Sequence, residues 1–280
     1  MSRIHLHIVA SITAFSLAFH CFQYPANAQD KSNVPSIKVL KDDWGGAPQE
    51  NIEAVCRSVA KELVPFFPKR KFDPITIKRS KGAPMVIFGK GADGERRVML
   101  NVGGTFWAQF AYQFGHEMGH ILCNYRDANN PNLWFEEAFC ETASIFAMRR
   151  MGRTWKTNPP YSNWKPFAGA LESYADDYIR GVAKLERETL PKWLADNEKN
   201  LRKIDRPKIH AVGVHVLLPL LEKNPSHWEA LNWLNQFDAK IELTFAEYLA
   251  DWHQRVPEAH KAFVANIATA FRLPIAESKK

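Results

Sequence analysis

The chain has 280 residues, with 37 Lys and Arg against 30 Asp and Glu, a formal net charge of +7, and 46% hydrophobic residues. That length and apolar content suit one sizeable core or two intimately packed lobes, without internal repeats or low-complexity segments. Its 4 cysteines are too few for a disulfide scaffold, and its basic residues are spread out without a nucleic-acid-binding motif, which excludes those two classes.

Residues 1–28 read as a secretory signal peptide. Arg3 is their single basic residue, an apolar run covers residues 8–19, and Ala26-Asn27-Ala28 forms a small-x-small cleavage site before Gln29. The run is shorter than the roughly 20 residues of a membrane span, leaving an uncleaved anchor as the alternative. Phe19-His20 ahead of Cys21 lacks the small residues of a lipoprotein box. Residues 29–280 are therefore expected outside the cytoplasm, secreted or periplasmic, with no stable membrane insertion. Cleavage removes no acidic residue, so the remainder stays basic. Weak attraction to anionic envelope surfaces is one consequence, a well-solvated surface the other.

Residues 36–104 mix strand and helix patterns. Short strands are predicted at 37–40, 75–78, 85–88 and 98–102, and a helix at 49–64. Beyond Thr105 almost everything reads helical. The fold class is α+β: a small sheet-and-helix lobe over 29–104, two site-bearing helices over 105–151, and a mostly α-helical lobe over 152–280. The strand around residues 97–102, or the one beside it, is the candidate edge for pairing with an extended substrate, with a fully paired inner strand as the alternative.

The helix after Gly104 has two different sides. Gln109, Gln113, His116, Glu117, His120 and Asn124 recur at helical spacing opposite Phe106, Phe110, Phe114, Met118 and Ile121. Gly115 and Gly119 lower helix propensity by roughly 1 kcal/mol each, which implies a close approach by another element. Within this helix His116-Glu117-Met118-Gly119-His120 places two imidazoles at i and i+4 on one face, able to hold one zinc ion, with Glu117 beside its open position. The turn formers Arg126 to Pro131 lead into a second helix from about Asn132, whose Glu137 and Glu141 share a face. At about 1.5 Å per residue, antiparallel helices bring His120 and Glu137 level, so Glu137 is the best candidate for the third ligand that a catalytic zinc requires. Cys123 and Cys140 flank these helices, as a bridge or as two buried thiols; as further ligands they would close the position that catalysis needs.

These segments resemble the gluzincins, zinc metallopeptidases of the thermolysin and large-aminopeptidase type, in which HExxH is followed by a ligand glutamate in a Trp-x-x-Glu-Gly/Ala-Phe stretch. Trp134-Phe135-Glu136-Glu137-Ala138-Phe139 matches that stretch. The resemblance covers about residues 105–148. It implies one Zn2+ on His116, His120 and Glu137, Glu141 orienting the first histidine, and a zincin-like catalytic domain over 29–280. It also implies hydrolysis of a peptide or protein substrate with Glu117 as general base. The stretch Ile209-His210-Ala211-Val212-Gly213 is similar to the aminopeptidase helix that carries an oxyanion-binding tyrosine, with His210 in the tyrosine's place; His215, Tyr174 and Tyr178 are the reserves. No Gly-x-Met-Glu-Asn strand is present, which favours endopeptidase over aminopeptidase activity. The competing expectation is a zinc-bound, non-catalytic envelope binding protein that keeps the fold.

Two further features lie beyond the site helices. Residues 152–167, rich in Asn, Pro and aromatics, read as an irregular loop that roofs a cleft or packs on the helical lobe. Ser226 with Glu229 and Thr244 with Glu247 both read as capping boxes.

Overall fold

The computed structural model describes residues 33–275, so the signal-peptide assignment lies outside the described residues. The order is β1 (Ile37–Val39), α1 (Gln49–Leu63), β2 (Ile75–Arg79), β3 (Met85–Ile87), β4 (Arg96–Leu100), α2 (Trp107–Leu122) and α3 (Leu133–Trp155). There follow α4 (Ala168–Gly181), α5 (Leu190–Leu201), α6 (Arg206–Val212), α7 (Leu218–Lys223), α8 (Phe245–Arg255) and α9 (Glu258–Ala270). The fold is mixed α+β, as the sequence pattern implies. None of the described helices is long and apolar enough to cross a membrane.

The strands form one sheet in the order β1-β2-β4-β3, with β3 antiparallel to β4 and the other pairs parallel. Alternation explains the geometry: Ile37, Val39, Ile75, Ile77, Val98 and Leu100 are buried on one face, against α1 and α2. Because β4 is paired on both sides, it is an inner strand, and β3 beside it is an edge strand. Tyr125 pins that edge by donating its hydroxyl to the Ile87 carbonyl at 2.6 Å.

Helix α2 ends in a Schellman motif. Asn124 takes a left-handed φ of 56°; its N–H bonds the Ile121 carbonyl at 3.3 Å and the Tyr125 N–H bonds the His120 carbonyl at 3.0 Å. Arg70 satisfies further end carbonyls, reaching Leu122 O at 2.8 Å. Helix α3 packs antiparallel against α2 where the two glycines lie. A Cβ on Gly115 would stand 2.8 Å from Ser144 Cα, and one on Gly119 2.6 Å from Cys140 Cα. The close approach is therefore backbone against backbone.

Two expectations need correction. Helix α3 continues through Gly152 to Trp155, and only residues 156–161 are irregular before a 3-10 turn at Ser162–Phe167. Trp164 of that turn stacks on Trp107 at 5.1 Å and meets Trp155 at 5.4 Å in a tilted contact, so the turn packs down on the site helices. At residues 224–233 the cap is Asn224, which accepts from the Ser226 N–H at 3.3 Å, and a 3-10 helix starts at Pro225. The Thr244/Glu247 box does form at α8. Thr244→Ala should therefore cost roughly 1 kcal/mol, visible as a lower denaturation midpoint at constant slope; an unchanged midpoint would show that α8 is held by packing alone.

Candidate metal centre

Helices α2 and α3 bring His116, Glu117, His120, Glu136, Glu137 and Glu141 together. Residues 137 and 141 lie one turn apart on α3, and 136 sits about 100° round the same helix, so all three carboxyls reach the face that α2 covers. His116 Nε2 lies 3.1 Å from Glu137 Oε2, and His120 Nε2 lies 3.7 Å from Glu137 Oε1. The other ring nitrogens point the opposite way: His116 Nδ1 is 3.3 Å from Glu141 Oε1, and His120 Nδ1 is 2.6 Å from Glu136 Oε1. Glu137 therefore sits between the two Nε2 atoms, while Glu136 and Glu141 each hold one Nδ1.

The charge balance of this cluster is unusual. Glu117, Glu136, Glu137 and Glu141 are each at most 7% exposed. Arg206 from the start of α6, 3.0 Å from Glu137 Oε2, is the one Arg or Lys among the described residues in ion-pair contact with them. Burying four carboxylates against one guanidinium is costly unless further positive charge is present. Burial by itself pushes His116 down, but its hydrogen bonds to Glu137 and Glu141 outweigh that and lift its pKa to about 10. His120 is likewise raised against burial, by Glu136. Burial would raise Glu137, yet His116, His120 and Arg206 draw it down to about 2. Burial pushes Glu117 up. One of its oxygens accepts the Val86 N–H of β3, and Oε2 has no partner among the described residues.

These groups open onto a cleft of about 430 Å3, walled by β3, the α2–α3 turn, Phe237 and Arg206. Met85, Phe88 and Leu133, three large apolar residues left exposed, stand on its wall. His210 is not on that wall. Its Nδ1 lies 2.6 Å from the Tyr178 hydroxyl and its Nε2 3.0 Å from Glu141 Oε1, so it stands behind Glu141. Tyr178 also donates to Glu141 at 2.9 Å, and Tyr112 does so at 2.5 Å. Tyr174 and His215 line separate cavities, beside Phe106 and beside Arg187. Glu141 thus collects His116, His210, Tyr112 and Tyr178, with Arg206 at 3.8 Å.

A buried group of His116, His120 and Cys140 has ligand atoms near enough together to hold a metal ion. The cysteines Cys56, Cys123 and Cys140 are all free and buried. Burial drives the Cys140 thiol well above its usual pKa, as does its contact with Cys123. Sequence reasoning missed Glu136, Arg206 and Asn235. The first was legible as a carboxylate one place before Glu137; the other two come from distant segments with no spacing signal. Comparisons with protein-family models, with curated proteins and with solved structures gave no match to this chain.

Proposed function

We propose that this chain is a secreted zinc-dependent peptidase of zincin type, with His116, His120 and Glu137 as the metal ligands. The observation that supports it best is the pairing of two Nε2 atoms across Glu137, beside Glu117, a residue that lines the same cleft and whose buried Oε2 has no partner among the described residues. Both Nδ1 atoms are engaged by carboxylates, which only accept. Each ring can therefore carry its hydrogen on Nδ1 and offer the Nε2 lone pair, the arrangement that carboxylates behind metal-bound histidines impose on them. A divalent cation would also neutralise the buried carboxylates. Zinc bound there would polarise a carbonyl and acidify a water.

The chain's own groups then have separate tasks. Glu117 Oε2 takes the water's proton and returns it to the leaving amine, a role its burial-raised pKa suits. β3 offers an edge on which an extended peptide can pair through backbone groups other than the Val86 N–H and the Ile87 carbonyl. The Arg206 guanidinium, half exposed on the cleft wall, is better placed than His210 to donate to an oxyanion. Met85, Phe88, Leu133 and Phe237 suit an apolar substrate side chain.

A second reading follows from the grouping of His116 and His120 with Cys140. In it the thiolate replaces Glu137, the metal is structural, and the chain binds without cleaving. Metal analysis separates the two. We expect about one zinc per chain in the parent, retention in Cys140→Ala and loss in Glu137→Ala. The reverse pattern, with no cleavage of a peptide library, would favour the structural site.

A further inference from the structure

Glu136 is itself held by a residue from the other end of the chain. Asn235 lies between the 3-10 helix Pro225–Trp233 and α8, at a left-handed φ of 58°. Asparagine tolerates that conformation better than most residues. Its side chain is buried and fully used. Nδ2 donates to Glu136 Oε2 at 2.6 Å and to the Cys123 carbonyl at 3.0 Å, while Oδ1 accepts the Tyr248 hydroxyl at 2.6 Å and Asn130 Nδ2 at 3.4 Å. The amide can face only one way, because turning it would set its oxygen against a carboxylate and a carbonyl.

We infer that Asn235 and Tyr248 are positioning residues that set the orientation and tautomer of His120 through Glu136, and so its affinity for a metal; this rests on the metal-site reading under Proposed function. Tyr248 fixes the amide; the amide fixes one oxygen of Glu136; the other oxygen, 2.6 Å from His120 Nδ1, keeps that nitrogen protonated and turns Nε2 toward Glu137. Glu136 can do this only as an acceptor, and a hydrogen-bonding amide supplies the donor without adding another charge to a site already rich in carboxylates. The two histidines thus have independent supports. His116 leans on Glu141 and the tyrosines Tyr112 and Tyr178, whereas His120 depends on a residue 99 positions from Glu136.

The test measures zinc affinity by chelator competition, beside the downfield imidazole N–H resonance of His120. Asn235→Asp is near-isosteric but sets a carboxylate against Glu136 Oε2. It should weaken zinc about 10- to 100-fold, the usual effect of losing an outer-shell partner, and remove or shift the resonance. Tyr248→Phe keeps the ring packing and should move both readouts the same way, by less. Asn235→Gly keeps the backbone conformation without the amide and should also weaken zinc. Parent-like affinity and resonance in folded Tyr248→Phe and Asn235→Gly would overturn the relay while leaving the metal site standing, and they decide the matter if Asn235→Asp fails to fold. A parent that binds no zinc would sink the metal-site reading instead, and the resonance in the metal-free variants would then judge the relay alone.

Discussion

Glu117→Gln is expected to keep its zinc and lose hydrolysis by about 10²- to 10⁴-fold, the usual contribution of a positioned general base. The reason is geometric. Gln has the same shape, and its amide oxygen can still accept the Val86 N–H that Glu117 accepts in the parent. What it cannot do is take a proton at the position of Oε2, the oxygen that has no partner among the described residues. Among the described residues no hydrogen bond or ion pair joins Glu117 to the three proposed ligands, so metal content should match the parent. Replacing an ionised or proton-sharing carboxyl at 2% exposure by a neutral amide also removes charge from a crowded site. The variant should therefore be no less stable than the parent. Undiminished turnover with bound zinc would remove Glu117 from the mechanism; loss of zinc together with turnover would mean that Glu117 helps hold the metal.

Much of this arrangement is legible in the sequence because it is local. Apolar alternation in Ile75/Ile77 and Val98/Leu100 marks two strands, and the i,i+4 spacing of His116 and His120 is enough to place both on one helix face. Boundaries drift where tertiary pairing decides them. β4 begins at Arg96 because Arg96 pairs with Ile75 in register, although its side chain gives no strand signal. Gly152 reads as a break, but the helix runs through it. A Cβ there would stand 2.3 Å from Glu172 Cγ, so the glycine admits α4 and does not end α3. Ser226 and Glu229 have the spacing of a capping box, yet Pro225 and Asn224 start the turn first. Glu136, Arg206 and Asn235 escape for another reason. Which neighbours fill the second layer around a histidine depends on how α3 is rotated and on where the chain returns, and neither leaves a periodic trace. His210 is a further case: helical spacing puts it near the site but does not say on which side of Glu141 it stands.

Gly119→Ala should show how tightly that layer is built. In an exposed helix the change would gain up to about 1 kcal/mol of propensity, and Gly169→Ala on α4, where a Cβ meets nothing within 4 Å, should gain a fraction of that. At Gly119 the same methyl would stand 2.6 Å from Cys140 Cα and 3.1 Å from its Sγ. A backbone atom cannot rotate away, so α2 and α3 must separate, at a cost of about 1–3 kcal/mol or more. That separation carries His120 away from Glu136, a contact now 2.6 Å long. Stability and metal affinity should therefore fall together, although the new side chain touches neither metal nor substrate. Denaturant midpoints and zinc titration on the two alanine variants read this directly. Equal stability in both would mean that the helix pair has slack, and that the spacing of His120 from Glu136 and Glu137 is not set by the glycine contact.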